Sequence, residues 1–262
     1  MENQLVRQNI TSFFAKLGWT VELDTFTDET PLGPIEFSNI IATKNPDAPK
    51  RLVLAAHYDS KYFKDGEFIG ATDSAVPCGI LIHIAEVLND YLTTTADTTL
   101  QMVFFDGEEA FVTWSAEDSI YGARHLAQKW SESGELSKIQ VLALLDLLGT
   151  PDIKIPNYYK ATSDLFYKLR TLERRLALKP RYLDLNSVMT YRGEWMQDDH
   201  VPFLQRGVKI LHIIPYPFPK VWHDLSDNAE CIEPKVVTDL ELLFRTFVAE
   251  YLEIDLFPHT EL

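Results

Sequence analysis

The sequence predicts an α/β protein, a three-layer sandwich whose mostly parallel central sheet is flanked by helices. Short apolar runs alternate with amphipathic helical segments along its 262 residues, as in strands joined by crossover helices. Acidic and histidine side chains repeatedly follow the ends of those runs. No linker, internal repeat or low-complexity stretch divides the chain, so we expect residues 1–262 to form one domain.

Each element is predicted from its periodicity and its end signals. In chain order these are a helix over residues 2–17, strands over 19–26, 35–43 and 51–57, a helix over 78–92, a strand over 100–105, a helix over 121–130, a strand over 140–145, a helix over 163–178, a strand over 209–214 and a helix over 234–252. Gly18 ends the first helix and Pro77 opens the second. The first two strands alternate apolar and polar residues, and the third is a compact apolar run.

The charge balance limits the partners of this chain. It carries 24 Lys+Arg against 39 Asp+Glu, a net charge of −15. Such an acidic surface disfavours nucleic acid and anionic membranes, and it is compatible with neutral or cationic substrates such as peptides with a free amino terminus. We expect no membrane span, because no stretch approaches about 20 apolar residues. Nor do we expect a signal peptide at Met1, and we expect a monomer.

Potential ligand side chains cluster after the predicted strands. They are His57, Asp59, Asp73, Glu108, Glu109 and Asp146. Ligands of open α/β sheets bind at the carboxyl ends of the strands, so these side chains are expected to share one edge. Oxygen and imidazole ligands without cysteine suit a catalytic zinc site, in which three protein ligands leave a fourth position open.

Of the adjacent glutamates Glu108 and Glu109, one can bind the metal while the other transfers protons. Taken alone, the pair could equally be a solvated helix start, where acidic residues favour the helix dipole. Its combination with motifs around His57, Asp73 and His223 favours the metal site.

Long segments of the chain resemble the zinc-dependent aminopeptidase clan and, within it, the glutaminyl cyclases (glutaminyl-peptide cyclotransferases) of animals. The resemblance covers nearly the whole chain and is carried by residues 57–63, 70–78, 104–111, 114–115, 144–147, 197–200 and 217–223. Runs of this length are far more specific than a short motif. The resemblance implies the aminopeptidase-like version of the predicted sandwich.

The resemblance also implies roles for individual residues. It assigns Asp73, Glu109 and His223 as ligands of one Zn²⁺ per chain, and Glu108 as the catalytic acid and base. It assigns Asp146 and Asp198 as carboxylates hydrogen-bonded beside Glu108. The substrate pocket is assigned to Trp114, Gln197, Phe218 and Trp222, with His212 in the same site. The implied substrates are peptides or proteins with amino-terminal glutamine, cyclised to pyroglutamate with release of ammonia. Amino-terminal glutamate is expected to react more slowly. We expect neighbouring Asp146 and Asp198 to raise the pKa of Glu108.

Two other functions remain open at this point. A two-zinc aminopeptidase would hydrolyse the first peptide bond instead, and the resemblance places His57 and Asp146 where that clan binds a second metal. The aromatic residues Trp114 and Trp222 favour the cyclase, because they would shape a small closed pocket. An inactive module that binds amino termini is the third possibility, and retention of Glu108 disfavours it.

The cysteines do not decide in which cellular compartment the protein is located. Relatives usually carry a cysteine where this chain has Ala56, paired with the one that matches Cys78. Its loss favours a reducing compartment such as the mitochondrion, whereas the resemblance and a sequon at Asn9 favour the secretory pathway. Whether Cys78 pairs with Cys231 is not decided by the sequence.

Overall fold

The computed structural model describes residues 2–92 and 97–254. Their helices are α1 Glu2–Lys16, α2 Val76–Leu88, α3 Tyr121–Ser133, α4 Ser163–Arg175, α5 Val201–Leu204 and α6 Pro234–Tyr251. Their strands are β1 Thr20–Thr30, β2 Gly33–Thr43, β3 Lys50–His57, β4 Thr98–Phe105, β5 Ile139–Leu145, β6 Ile155–Pro156, β7 Leu183–Asp184 and β8 Ile210–Ile213. Short helical turns occupy Ala71–Ala75, Glu135–Lys138, Lys160–Thr162, Gly193–Trp195 and Ala229–Cys231.

The main sheet of the described residues has six strands in the order β1-β2-β4-β3-β5-β8. Strands β4, β3, β5 and β8 are parallel, whereas β1 pairs with β2, and β2 with β4, in antiparallel fashion. The sheet is therefore mixed, with four parallel strands and an antiparallel edge hairpin. The predicted strands are all present, and the strand-end acids follow strands of the parallel part.

Two apolar layers cover the two faces of the sheet, which confirms the three-layer prediction. Strand β3 shows the alternation: Leu52 and Leu54 belong to the core formed with α1, α2, α4 and α6, while Val53 and Ala55 belong to the core formed with α3 and α5. All four side chains are at most 1% exposed. A strand buried on both faces must be apolar throughout, and this explains the continuous run in the sequence.

Contrary to the expectation from the sequence that no stretch is long and apolar enough, the segment Ala71–Leu88 has the length and composition to cross a membrane. It combines the Ala71–Ala75 turn with α2, and 61% of it is buried inside the protein. Its burial is that of a helix packed on the sheet, in contact with β3 and α6.

A buried carboxylate joins the edge hairpin to α3. Asp24 on β1 is 2% exposed, and its oxygens accept hydrogen bonds from Lys129 Nζ at 2.8 Å, Asn39 Nδ2 at 2.9 Å and His125 Nδ1 at 3.0 Å. Burial raises the pKa of Asp24, but these partners outweigh it and hold the pKa below its ordinary value. The interaction therefore stabilises the ionised form of the carboxylate and the packing of α3 on the hairpin.

Replacing Asp24 with alanine should lower the free energy of unfolding by about 2 kcal/mol at neutral pH, because a charge-assisted network is lost. A group whose pKa is depressed on folding stabilises above its unfolded pKa, about 3.9 for Asp, and loses that effect as pH falls through the folded value. The difference in the free energy of unfolding between wild type and Asp24→Ala, measured by urea unfolding, should shrink below about pH 4. Exposed Glu22 on the same strand provides the control Glu22→Ala. Equal midpoints for the two variants at pH 7 would contradict this role.

Candidate active site

The carboxyl ends of β3, β4 and β5 bring the predicted side chains to one edge of the sheet. His57 is the last residue of β3, Asp146 directly follows β5, and Glu108 and Glu109 lie three and four residues beyond β4. Asp73 comes from the Ala71–Ala75 turn that precedes α2. All five are buried, with exposures between 1% and 6%.

Asp73, Glu109 and His223 converge as a set of metal-ligand atoms, all within 4.8 Å of one another. His223 Nε2 lies 3.2 Å from Glu109 Oε1 and 3.5 Å from Asp73 Oδ2. Those two carboxylate oxygens are buried and have no hydrogen-bond partner among the described residues. Two unpaired oxygens facing one imidazole nitrogen are a donor set that fits a divalent cation such as zinc.

The loop after β4 is fixed so that both glutamates point inward. Gly107 has a φ of 71°, and a Cβ there would lie 2.5 Å from the ring of Phe37, so only glycine fits the turn. The carboxylate of Asp59 accepts hydrogen bonds from the backbone N–H groups of Glu108 at 3.1 Å and Glu109 at 3.2 Å. Lys61 Nζ lies 3.2 Å from Glu109 Oε2, which leaves Oε1 to face His223.

His223 is held in an unusual backbone conformation beside the aromatic residues of its loop. Its φ is 54°, in the left-handed region that a non-glycine residue seldom adopts. The Trp222 ring stacks on its imidazole with centroids 4.2 Å apart, and Phe218 packs edge-on against Trp222 at 4.9 Å. The aromatic side chains therefore orient a candidate ligand as well as shaping the pocket.

A second group of ligand atoms adjoins the first. His57, Asp73 and Asp146 also offer atoms within 4.8 Å of one another, with His57 Nε2 at 3.0 Å from Asp73 Oδ1 and 3.4 Å from Asp146 Oδ1. The same Asp146 oxygen accepts hydrogen bonds from Ser74 Oγ and from the backbone N–H of Leu147, both at 2.8 Å. Asp146 Oδ1 therefore already has two donors.

Glu108 lies deep in the site and is 6% exposed. Burial is the main cause that raises the pKa of its carboxyl well above the ordinary value; nearby His57 opposes the rise, and the charges of Glu109, Asp198 and Asp199 add to it. The expected contribution of Asp198 is present, whereas Asp146, expected to act in the same way, is not among the main causes, and burial is larger than any neighbouring charge. A carboxylate with a raised pKa accepts a proton more readily than an ordinary glutamate does.

Asp198 and His212 form a buried pair behind the site. His212 Nε2 lies 2.6 Å from Asp198 Oδ2, and the His212 ring packs 4.1 Å from the ring of His200. The hydroxyl of Tyr159 lies 2.6 Å from His200 Nε2. Asp198, His200 and His212 form a third cluster of ligand-type atoms, but two of these residues already share a short hydrogen bond.

A small cavity of about 220 Å³ opens above Glu108. Its lining consists of Asp73, Glu108, Trp114, Asp146, Leu147, Trp195, Met196, Gln197, Ile214, Phe218, Trp222 and His223. Four of the predicted pocket residues are in this lining, whereas His212, expected among them, lies behind it because β8 directs its side chain into the protein interior. Trp195 and Met196 were not predicted to line the pocket; their position directly before Gln197 was the available signal.

A larger cavity, of about 610 Å³, opens elsewhere, between α1, β2 and residues 58–79. It reaches Asp59 and Glu109 but not Glu108, Trp114 or His223. The smaller cavity is therefore the one lined by the candidate proton-transferring group and by two of the three candidate metal ligands, Asp73 and His223, whereas Glu109 lines the larger cavity.

The cysteines do not form a disulfide in this structure. Cys78 is buried, and its thiol lies 3.0 Å from the carbonyl oxygen of His57. Cys231 contacts Asp227 instead, with its sulfur 3.4 Å from a carboxylate oxygen. Both thiols are free, so Cys231 does not replace the partner that is missing at Ala56.

Comparison with known proteins places this site in a family. The sequence profile of peptidase family M28 matches residues 39–248. A glutaminyl-peptide cyclotransferase of Drosophila melanogaster is 44% identical over 266 residues, which cover 95% of this chain and 75% of that protein. The protein of the same name from Bos taurus is 42% identical, over 95% of this chain and 76% of its own length.

Solved structures support the same relationship as the sequence comparisons. A crystal structure of Macrostomum lignano glutaminyl cyclase superposes with a TM-score of 0.89 at 39% identity, covering 97% of this chain and 84% of that one. A leucine aminopeptidase precursor from Bacteroides thetaiotaomicron has a TM-score of 0.76 at 20% identity, covering 92% of this chain and 86% of its own, so it shares the fold. The chain therefore belongs to peptidase family M28 and, within it, to the glutaminyl-peptide cyclotransferases.

Proposed function

We propose that this protein is an acyltransferase that converts the amino-terminal glutamine of peptides or proteins to pyroglutamate and releases ammonia. Amino-terminal glutamate would be a slower substrate, because a carboxylate resists nucleophilic attack. The observation that carries the proposal is a buried Glu108 beside the convergent Asp73, Glu109 and His223, at the base of a small aromatic cavity. The names of the relatives support the same reaction.

One zinc ion per chain fits Asp73, Glu109 and His223. The fit rests on the two unpaired, buried carboxylate oxygens that face His223 Nε2. Zinc held there would supply Lewis acidity to the side-chain carbonyl of the substrate glutamine.

The protein side chains would hold the substrate for an intramolecular reaction. Trp114, Phe218 and Trp222 line the cavity and enclose the glutamine side chain, while the neighbouring Gln197 offers polar contacts. Because the attacking α-amine and the attacked carbon belong to one molecule, holding the side chain in a folded-back conformation supplies much of the rate. A narrow pocket with rigid aromatic walls suits that task.

Glu108 would move the proton. Its carboxylate takes a proton from the α-amine as the nitrogen bonds to the side-chain carbonyl carbon, and it returns a proton to the departing amide nitrogen. The bond between that carbon and the amide nitrogen breaks, ammonia leaves, and a five-membered lactam remains. The raised pKa of Glu108 allows one carboxyl to act as base and then as acid.

The second candidate function is a two-zinc aminopeptidase, favoured by the group His57, Asp73 and Asp146. In that group, Asp146 Oδ1 accepts hydrogen bonds from Ser74 and Leu147, which leaves Oδ2 of this carboxylate for a second metal. The cyclase fits better, because the cavity above Glu108 is small and bounded by aromatic side chains. A module that only binds amino termini would not need the buried Glu108.

Replacing Glu108 with glutamine should lower kcat for a Gln-initiated dipeptide by about 10²- to 10⁴-fold, with a smaller change in KM. The amide keeps the shape of the side chain but cannot accept a proton. Ammonia release, followed in a coupled assay, measures the effect. Glu132→Gln, at an exposed position of α3, is the matched control and should retain activity. Similar rates for Glu108→Gln and wild type would remove Glu108 from the mechanism.

Replacing Asp198 with asparagine should shift the acidic limb of the kcat/KM profile to lower pH. The negative charge of Asp198 contributes to the raised pKa of Glu108, so removing it favours the ionised base at lower pH. The pH dependence of ammonia release tests this, with Asp164→Asn on the exposed side of α4 as control. An acidic limb that stays in place or moves to higher pH would show that Asp198 does not act on Glu108 electrostatically.

A further inference from the structure

Trp195 is an exposed indole at the mouth of the candidate active site. It lines the 220 Å³ cavity together with Glu108 and His223, yet 70% of its surface is accessible. Tryptophan is enriched at contact surfaces, because its large, rigid ring supplies apolar area with little loss of conformational freedom. No part of the proposed cyclisation chemistry requires an indole at this place.

The backbone that carries Trp195 is well fixed. In the turn Gly193–Trp195, the Trp195 N–H donates to the carbonyl of Arg192 at 3.1 Å, and the Gly193 N–H donates to the carbonyl of Tyr158 at 3.1 Å. The hydroxyl of Tyr159 donates to the Gly193 carbonyl at 3.1 Å, and a Cβ on Gly193 would lie 2.3 Å from the Tyr159 ring. The loop is therefore packed tightly below an exposed indole.

The side chain of Trp195 also has a neighbour that limits its orientation. The Arg192 guanidinium lies over the indole ring, 5.9 Å from its centroid. The ring is thus partly ordered before a ligand arrives, so covering it would bury apolar surface at a low entropic cost.

A substrate peptide bound in the cavity would leave it beside Trp195. If the glutamine side chain lies against Glu108 at the base of the cavity, the second residue must leave through the mouth, where Trp195 is the most exposed of the lining tryptophans. Trp114 and Trp222, at 39% and 42% exposure, are the other two. A side chain that packs on indole surface is apolar or aromatic.

We propose that Trp195 is a specificity residue that packs against the second residue of the substrate, so that the enzyme prefers peptides in which an aromatic residue follows the amino-terminal glutamine. This inference rests on the proposed function. It names the class of substrate and a residue that the cyclisation step itself does not use.

The test compares ammonia release from Gln-Phe-amide and Gln-Gly-amide by wild type, Trp195→Ala, Trp195→Phe and Val188→Ala. Val188 is an apolar residue of the preceding segment, 71% exposed and outside the cavity lining. Wild type should have the higher kcat/KM for Gln-Phe-amide. Trp195→Ala should reduce that preference by about three- to tenfold, the size of an aromatic pair contact, mainly through KM. Trp195→Phe should keep most of it, and Val188→Ala all of it.

The outcomes distinguish a failure of the specificity role from a failure of the proposed function. A preference that is the same in wild type and Trp195→Ala, with both enzymes active, overturns the role of Trp195 and leaves the proposed function intact. A loss of kcat for both dipeptides in Trp195→Ala, with the preference unchanged, also overturns it. If wild type releases ammonia from neither dipeptide, the proposed function fails and the specificity role fails with it.

Discussion

Several carboxylates are buried together where the parallel strands end, and their mutual repulsion is the constraint on which the rest of the site depends. Asp73, Glu108, Glu109 and Asp146 are each at most 6% exposed. Burying an ionised carboxylate without a compensating charge costs several kcal/mol. The protein compensates locally with imidazole and hydrogen-bond donors, but two oxygens facing His223 remain unpaired among the described residues. A divalent cation there would neutralise the charge that the fold has concentrated.

The same constraint separates the roles of two adjacent glutamates. Glu109 has one oxygen held by Lys61 and the other directed at His223, which is the arrangement of a ligand. Glu108 faces the cavity, and burial raises the pKa of its carboxyl, which is the property of a proton carrier. Asp59 accepts a hydrogen bond from the backbone N–H of each glutamate and so holds the two residues in these different positions.

Much of this architecture could be predicted from the sequence, because strand-end residues of a parallel sheet must meet at one edge. That rule and the family resemblance brought Asp73, Glu109 and His223 together correctly in space. The sequence could not show that β8 turns His212 away from the cavity, since a strand of four buried residues has no alternation to read. Nor could it place Trp195, because an aromatic residue in a loop looks the same whether it packs inward or lines a mouth.

The central claim is that this fold uses one metal ion to cyclise an amino-terminal residue, although a second set of ligand-type atoms lies beside the first. The most direct measurement is the zinc content of the purified protein, determined together with the products formed from a Gln-initiated peptide. One zinc per chain, with pyroglutamyl peptide and ammonia as products, is the expected result. Two zinc ions per chain, with free glutamine released by hydrolysis of the first peptide bond, would contradict it.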